Sequence, residues 1–135
     1  MRVVADTHAL HWFLFGSERL SERARHALET AEADPAGGIV LSVASLIDLD
    51  YLAAAGRIAP SLVSQLRIVV HDPAFNIHHV AVNDDVAERF SDTALAPLRD
   101  PCDRLIVATA LVLDVPLVSA DRAIGALGAG VEVLW

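Results

Sequence analysis

Residues 2–12 read RVVADTHALHW. After Arg2 come three apolar residues, Val3 to Ala5, and the run then stops on a carboxylate, Asp6, with the Thr7 hydroxyl and the His8 imidazole directly behind it. A short Val-rich run that ends on a polar stop predicts a strand over residues 2–6, buried in a core. A helix follows over residues 8–15. A core strand that runs into an acid is unusual, because a carboxylate avoids apolar surroundings unless it is paired, hydrogen-bonded or bound to a cation. The meaning of Asp6 therefore depends on whether other acids arrive at the same place.

The rest of the chain repeats the strand–helix alternation. A helix is expected over 21–33, with Ser21 as its cap, and DPAGG (34–38) is a loop. A strand over 39–43 precedes a helix over 45–56 that stops at Gly56, a natural residue just past a helix end. Pro60 suits the first turn of a helix over 60–70. A strand over 76–82, a short helix over 84–92 capped by Asn83, and a strongly apolar helix over 100–115 come next. A strand over 116–120, a helix over 121–127 and a strand over 131–135 complete the chain. The strands are short and apolar on both faces. That pattern predicts an α/β domain with helices on both sides of a mainly parallel sheet of about five strands. In such sheets, sites form at the carboxyl ends of the strands where strand order reverses.

Size and composition agree with one domain spanning residues 1–135. Of the 135 residues, 54% are hydrophobic, which excludes a disordered chain. No apolar stretch reaches the roughly 18 residues of a membrane span. The amino terminus lacks the basic start and cleavage site of a signal peptide, so a cytoplasmic location and no membrane partner are expected. The single cysteine, Cys102, excludes an internal disulfide and a multi-cysteine metal site. Eighteen acids against ten bases give a net charge of −8, and all ten bases are Arg. A chain this acidic is a poor generic nucleic-acid binder, so a nucleic-acid substrate would need bridging cations or local arginines. A basic partner protein suits the same charge.

Four acids fall at strand-to-helix junctions. Asp6 ends the first strand. Asp48 is placed in the first helical turn after the second strand. Asp103 opens the long apolar helix together with Asp100, and Asp121 ends the fourth strand. Each also has a capping interpretation. Ser45 and Asp48 have the three-residue spacing of a capping box. Asp100-Pro101-Cys102-Asp103 reads as a cap, a first-turn Pro and a first-turn acid, and Asp121 suits a helix dipole. Asp6 alone lacks such a box. Taken together, carboxylates crowded on one edge repel one another until some take up protons or a cation neutralises them. Carboxylate oxygens select hard ions such as Mg²⁺ or Mn²⁺. Acids holding one or two such ions can cleave phosphodiesters, because the ions activate water and stabilise the leaving oxygen.

ADTHALHW, SVASLIDLDYLAAAGRI, DPCDRLIVATAL and LVSAD resemble, in order and spacing, the motifs of PIN-domain ribonucleases, and among them the VapC-type toxins of bacterial toxin–antitoxin pairs. The resemblance covers essentially the whole chain. It implies a PIN-like α/β/α fold and a metal-dependent ribonuclease. Asp6, Asp48, Asp103 and Asp121 would be the catalytic, metal-holding residues, with Mg²⁺ or Mn²⁺ as cofactor. It further implies a homodimer, an RNA substrate and a cognate antitoxin whose basic, Arg-bearing tail enters the site. The family has Glu where this chain has Asp48, one methylene shorter. That departure supports an alternative, a catalytically weak or inactive binding module. The family's aromatic in the same block is Cys102 here, read as a packing residue.

Thr7 and Ser119 stand beside Asp6 and Asp121 as either supporting hydroxyls or caps. Arg104 could contact a phosphate or pair with Asp100. His8 and His11, three apart, could share a metal, whereas His78 and His79 point to opposite faces of a strand. GALGAG (125–130) precedes a strand, so it reads as a helix stop and not as a phosphate loop. Among rival classes, a phosphate-accepting receiver needs a Lys that this chain lacks, and haloacid-dehalogenase-like phosphatases need a second Asp where His8 stands. A Walker-type nucleotide site is excluded because no Gly-Lys exists here.

Overall fold

The computed structural model describes all of residues 1–135. The opening run forms β1 (Arg2–Ala5), followed by α1 (Thr7–Leu14) and α2 (Glu22–Ala33). Then come β2 (Gly38–Ser42), α3 (Val43–Ala54), α4 (Pro60–Val70) and β3 (Ile77–Val80). The second half runs α5 (Asp84–Phe90), a 3₁₀ turn at Thr93–Leu95, α6 (Pro101–Leu113), β4 (Leu117–Val118), α7 (Arg122–Gly125) and β5 (Val133–Leu134). The five strands are all parallel, in the order β3-β2-β1-β4-β5.

β1 is the middle strand, and its side chains divide between two cores with the period of two that a pleated strand imposes. Val3 and Ala5 join Ile39 and Leu41 in packing against α1 and α2. Val4, Val40 and Leu117 pack on the other face against α5, α6 and α7. Burial on both faces explains why these strands read as continuous apolar runs. A smaller cluster, Leu49, Leu52, Ile58, Val63 and Leu66, joins α3 to α4. No helix is long and apolar enough to cross a membrane.

Strand order reverses between β1 and β4. The chain leaves β1 for β2 on one side and later returns to β4 on the other. The crevice at the carboxyl ends of these two strands is the place where an open parallel sheet builds its sites.

Local chemistry moves several element ends. α3 starts at Val43, two residues before the expected start, because the Ser42 hydroxyl accepts from the Ala44 amide at 3.2 Å. Ser45 is therefore no cap: it lies inside the helix, fully buried. α6 stops at Leu113 because Asp114 turns left-handed (φ 53°) and the Val115 amide reaches back to the Ala110 carbonyl at 3.2 Å. Gly56 ends α3 as expected: it has φ 71°, and the Arg57 amide returns to the Leu52 carbonyl at 2.9 Å. At the opposite edge of the sheet, Asn76 ties α2 to β3. Its amide group donates to the carbonyls of Asp34 (2.8 Å), Glu32 (3.2 Å) and Ala31 (3.4 Å).

Candidate metal centre

Asp6 follows β1 directly, and its own amide still pairs with the Val118 carbonyl at 3.1 Å. Its side chain caps α1 by accepting from the Ala9 amide through Oδ1 at 2.7 Å. The strand thus ends one residue earlier than expected, and Asp6 does have a capping role. Capping fixes the carboxylate and leaves Oδ2 outside that bond. Asp6 is 7% exposed. Burial raises its pKa above the ordinary value, and the charge of Asp121 adds to the rise. The Ser119 hydroxyl, the Ala9 amide and His8 oppose it.

Asp121 repeats the arrangement from the neighbouring strand. Its Oδ1 accepts from the Ile124 amide at 3.0 Å to cap α7, and its own amide donates to the Ser119 hydroxyl at 3.1 Å. Ser119 is buried and touches both acids, so it supports the pair. Capping and site duty are therefore compatible for Asp6 and Asp121, since each uses a different oxygen.

At the start of α6 the two roles are divided between two residues. Asp100 is the cap, with Oδ1 accepting from the Cys102 amide at 2.7 Å and the Asp103 amide at 3.3 Å. Asp103 is left to face the crevice. Burial pushes its pKa up to about 7, and the charges of Asp100, Asp121, Asp48 and Asp6 push in the same direction. Cys102 is buried, and its thiol is pushed up to about 11, first by burial and then by Asp48, Asp100 and Asp103. At that value it is a packing group and not a nucleophile. Arg104 pairs with neither Asp100 nor the site. Its Nε donates to the Leu98 carbonyl, its Nη2 donates to the Ala96 carbonyl at 3.1 Å, and the guanidinium lies 5.4 Å from the Phe90 ring centre.

Asp48 is the sixth residue of α3, in the second turn and not the first. It still lines the crevice beside Asp6, Asp103 and Asp121. Asp50 points elsewhere and pairs with Arg67 at 2.8 Å.

These four acids line one cavity of about 230 Å³, together with Thr7, His8, Trp12 and Ala120. They form a gradient: Asp6 is buried at the floor, Asp48 and Asp103 are half-buried, and Asp121 is exposed at the rim. Sequence reasoning missed Trp12, although its place one turn after His8 on α1 put it on the same helix face. His8 and His11 do not act together. His8 lines the cavity, whereas the half-buried His11 ring meets Phe15 edge-on at 5.4 Å.

The donor set suits a hard divalent ion. It is all carboxylate oxygen and carries excess negative charge. The Thr7 hydroxyl on the cavity wall is buried without a hydrogen-bond partner. No three of the chain's His, Cys, Asp or Glu side chains converge closely enough to cage an ion by themselves. Mg²⁺ is commonly held through one or two carboxylates and keeps several waters, and this cavity has room for them.

A model of the PIN domain matches residues 3–129. The chain belongs to the PIN domain family. Solved structures share this fold at low sequence identity. A toxin–antitoxin complex from Klebsiella pneumoniae aligns with TM-score 0.62 at 20% identity, covering 97% of this chain and 94% of the other. VapBC2 from Rickettsia felis, bound to a promoter DNA fragment, aligns with TM-score 0.70 at 15% identity over the full length of both chains. VapBC-1 from nontypeable Haemophilus influenzae aligns with TM-score 0.68 at 13% identity, covering 98% and 96%. No curated protein sequence matches the chain significantly. PIN domains are generally nucleases, and in this PIN domain Asp6 and Asp121 follow the strand ends where the sheet reverses, with Asp48 and Asp103 reaching the same cavity from α3 and α6.

Proposed function

We propose that this PIN domain is a metal-dependent endoribonuclease and the toxin of a toxin–antitoxin pair, acting in the cytoplasm on RNA. The observation that carries the reading is the meeting of Asp6, Asp48, Asp103 and Asp121 in one cavity from four separate elements. Mg²⁺ or Mn²⁺ bound there would lower the pKa of a water and offset charge on the phosphate. Asp6 and Asp121 would hold the ion through the oxygens not engaged in capping. Asp103, with its raised pKa, would give up its proton on binding. Thr7 and Ser119 would orient water and carboxylate.

The structural relatives are toxin–antitoxin complexes, which supports a cognate antitoxin as partner. With a charge of −8 and a cluster of acids in the cavity, the chain suits an antitoxin whose basic tail places an Arg there. A homodimer is part of the same reading.

Incubation of purified protein with RNA, with and without Mg²⁺ or Mn²⁺, tests it. Ion-dependent cleavage is expected, and Asp6→Asn or Asp103→Asn should each lower it by about 100-fold. The shorter reach of Asp48 favours a second reading, a binding module that keeps the acidic pocket to receive its partner's Arg. Equal lack of cleavage by wild type and both variants, with antitoxin binding retained, would favour that second reading.

A further inference from the structure

One wall of the acidic cavity is aromatic. α1 places His8 and Trp12 four residues apart, so both rings reach the cavity from one helix face. His8 is exposed and stacks on Trp12, with ring centres 5.5 Å apart and planes 28° from parallel. Trp12 is half-buried and braced from the far end of the chain by Trp135, 5.7 Å away. The Arg19 guanidinium lies 6.0 Å from the Trp12 ring centre. The acids do not need an exposed imidazole stacked on an indole, and core packing does not explain a ring left in solvent.

We propose that His8 and Trp12 form a nucleobase platform, on which an unstacked base of single-stranded RNA lies beside the phosphate to be cut. This rests on the ribonuclease reading and deepens it by assigning a base-binding subsite to α1. An acidic protein cannot rely on its overall field to gather RNA, and the four carboxylates repel phosphate. Stacking on aromatic faces does not depend on charge and tolerates any base. The platform is rigid before binding, because Trp12 is already packed, so little side-chain freedom is lost. Arg19, beside the indole, supplies a cation for the neighbouring phosphate. Bases inside a duplex are paired and stacked away from such a surface, which restricts the substrate to single strands and loops.

The test is tryptophan fluorescence of Asp103→Asn protein without added divalent ion, in which hydrolysis is slowed, with Trp135→Phe added so that Trp12 is the only reporter. The probes are a short single-stranded RNA of mixed sequence, the same RNA with one abasic position moved along it, and its duplex. The single strand should quench the signal, and an abasic gap at one position should weaken binding by about fivefold or more. His8→Ala, at an exposed position, should weaken the intact RNA and shrink the difference between intact and gapped RNA. Trp12→Leu, checked for folding by circular dichroism and read by the anisotropy of end-labelled RNA in place of tryptophan fluorescence, should abolish that difference. Equal binding of intact, gapped and duplex RNA would overturn the platform. So would quenching by an arginine-bearing peptide and not by RNA. If wild type cleaves RNA while binding ignores the gap, the platform fails and the ribonuclease reading stands. If quenching depends on the base but no ion supports cleavage, the platform stands and the ribonuclease reading fails.

Discussion

Asp6 and Asp121 lie one and three residues beyond the paired positions Ala5 and Val118 of neighbouring strands, and each commits Oδ1 to capping a helix. The sheet register and two caps therefore hold like charges together. The backbone cannot relieve this repulsion without breaking β1–β4 pairing, so it must be met by protons or a cation.

Asp103 shares the cavity and carries a raised pKa of its own. Burial leads the shift from 3.8 to about 7, and Asp6 is displaced in the same direction. A carboxyl whose pKa is higher in the folded state binds its proton more tightly there than in the unfolded chain. Its contribution to stability is complete below the unfolded value and is lost as pH rises through about 7. In EDTA, the melting temperature should therefore fall between about pH 5 and about pH 8. The loss should be about 1 kcal/mol, after allowing for solvent screening of a half-buried group. Asp103→Asn should flatten that slope. A wild-type melting temperature that is level or rises over this interval would contradict the crowded cavity.

Divalent ions should reverse the effect. Mn²⁺ added at about pH 8 should raise the melting temperature, by about 2.7 kcal/mol of stability at a hundredfold excess over the dissociation constant. The increase should be smaller at about pH 5.5, where Asp103 keeps its proton, and absent in Asp6→Asn. Calorimetry of the two proteins with and without Mn²⁺ measures it. Equal shifts in both would place the ion elsewhere.

Asp48 reaches the cavity from the second turn of α3 with a side chain one methylene shorter than a Glu at the same place would have. Asp48→Glu should tighten Mg²⁺ binding and raise Mg²⁺-dependent cleavage, because metal geometry tolerates only a small displacement of its oxygens. Titration of activity against Mg²⁺ reads the effect. Unchanged or lower activity would count against a contribution from Asp48 that is limited by its reach.

Two serines one turn apart should respond in opposite ways. Ser42 caps α3, so Ser42→Ala should remove about 1 kcal/mol of stability. The Ser45 hydroxyl is buried with no partner, so Ser45→Ala should leave stability unchanged or raise it by up to about 1 kcal/mol. Chemical denaturation of the two variants decides, and equal losses would mean that Ser45 has a partner after all.

Asn76 shares its amide hydrogens among three carbonyls at the end of α2. Asn76→Ala leaves those acceptors short and should cost about 1–3 kcal/mol. Because Asn76 lies at the amino edge of the sheet, the cavity acids keep their places, and ion-dependent activity per folded molecule should survive. Loss of activity without loss of stability would contradict this.

The alternation of short apolar runs with helical segments, legible from Val3 to Leu134, determined the parallel sheet. It did so because a strand buried on both faces has no polar side to show. Asp6, Asp48, Asp103 and Asp121 were legible as candidates because each follows a strand or opens a helix on one edge of such a sheet. Local sequence could not say that Asp100 caps while Asp103 faces the crevice, since both occupy favourable positions in one helical turn. Nor could it say that Arg104 turns away to the Leu98 and Ala96 carbonyls, that Ser45 lies inside a helix, or that Trp12 walls the cavity. Those outcomes depend on packing between residues far apart in the chain. Strand order places β4 beside β1 and β5 beside β4, which lets Asp121 press on Asp6 and lets Trp135, just past β5, reach Trp12. Sequence spacing fixes which face of its own element a residue occupies, whereas the assembled sheet fixes which faces meet.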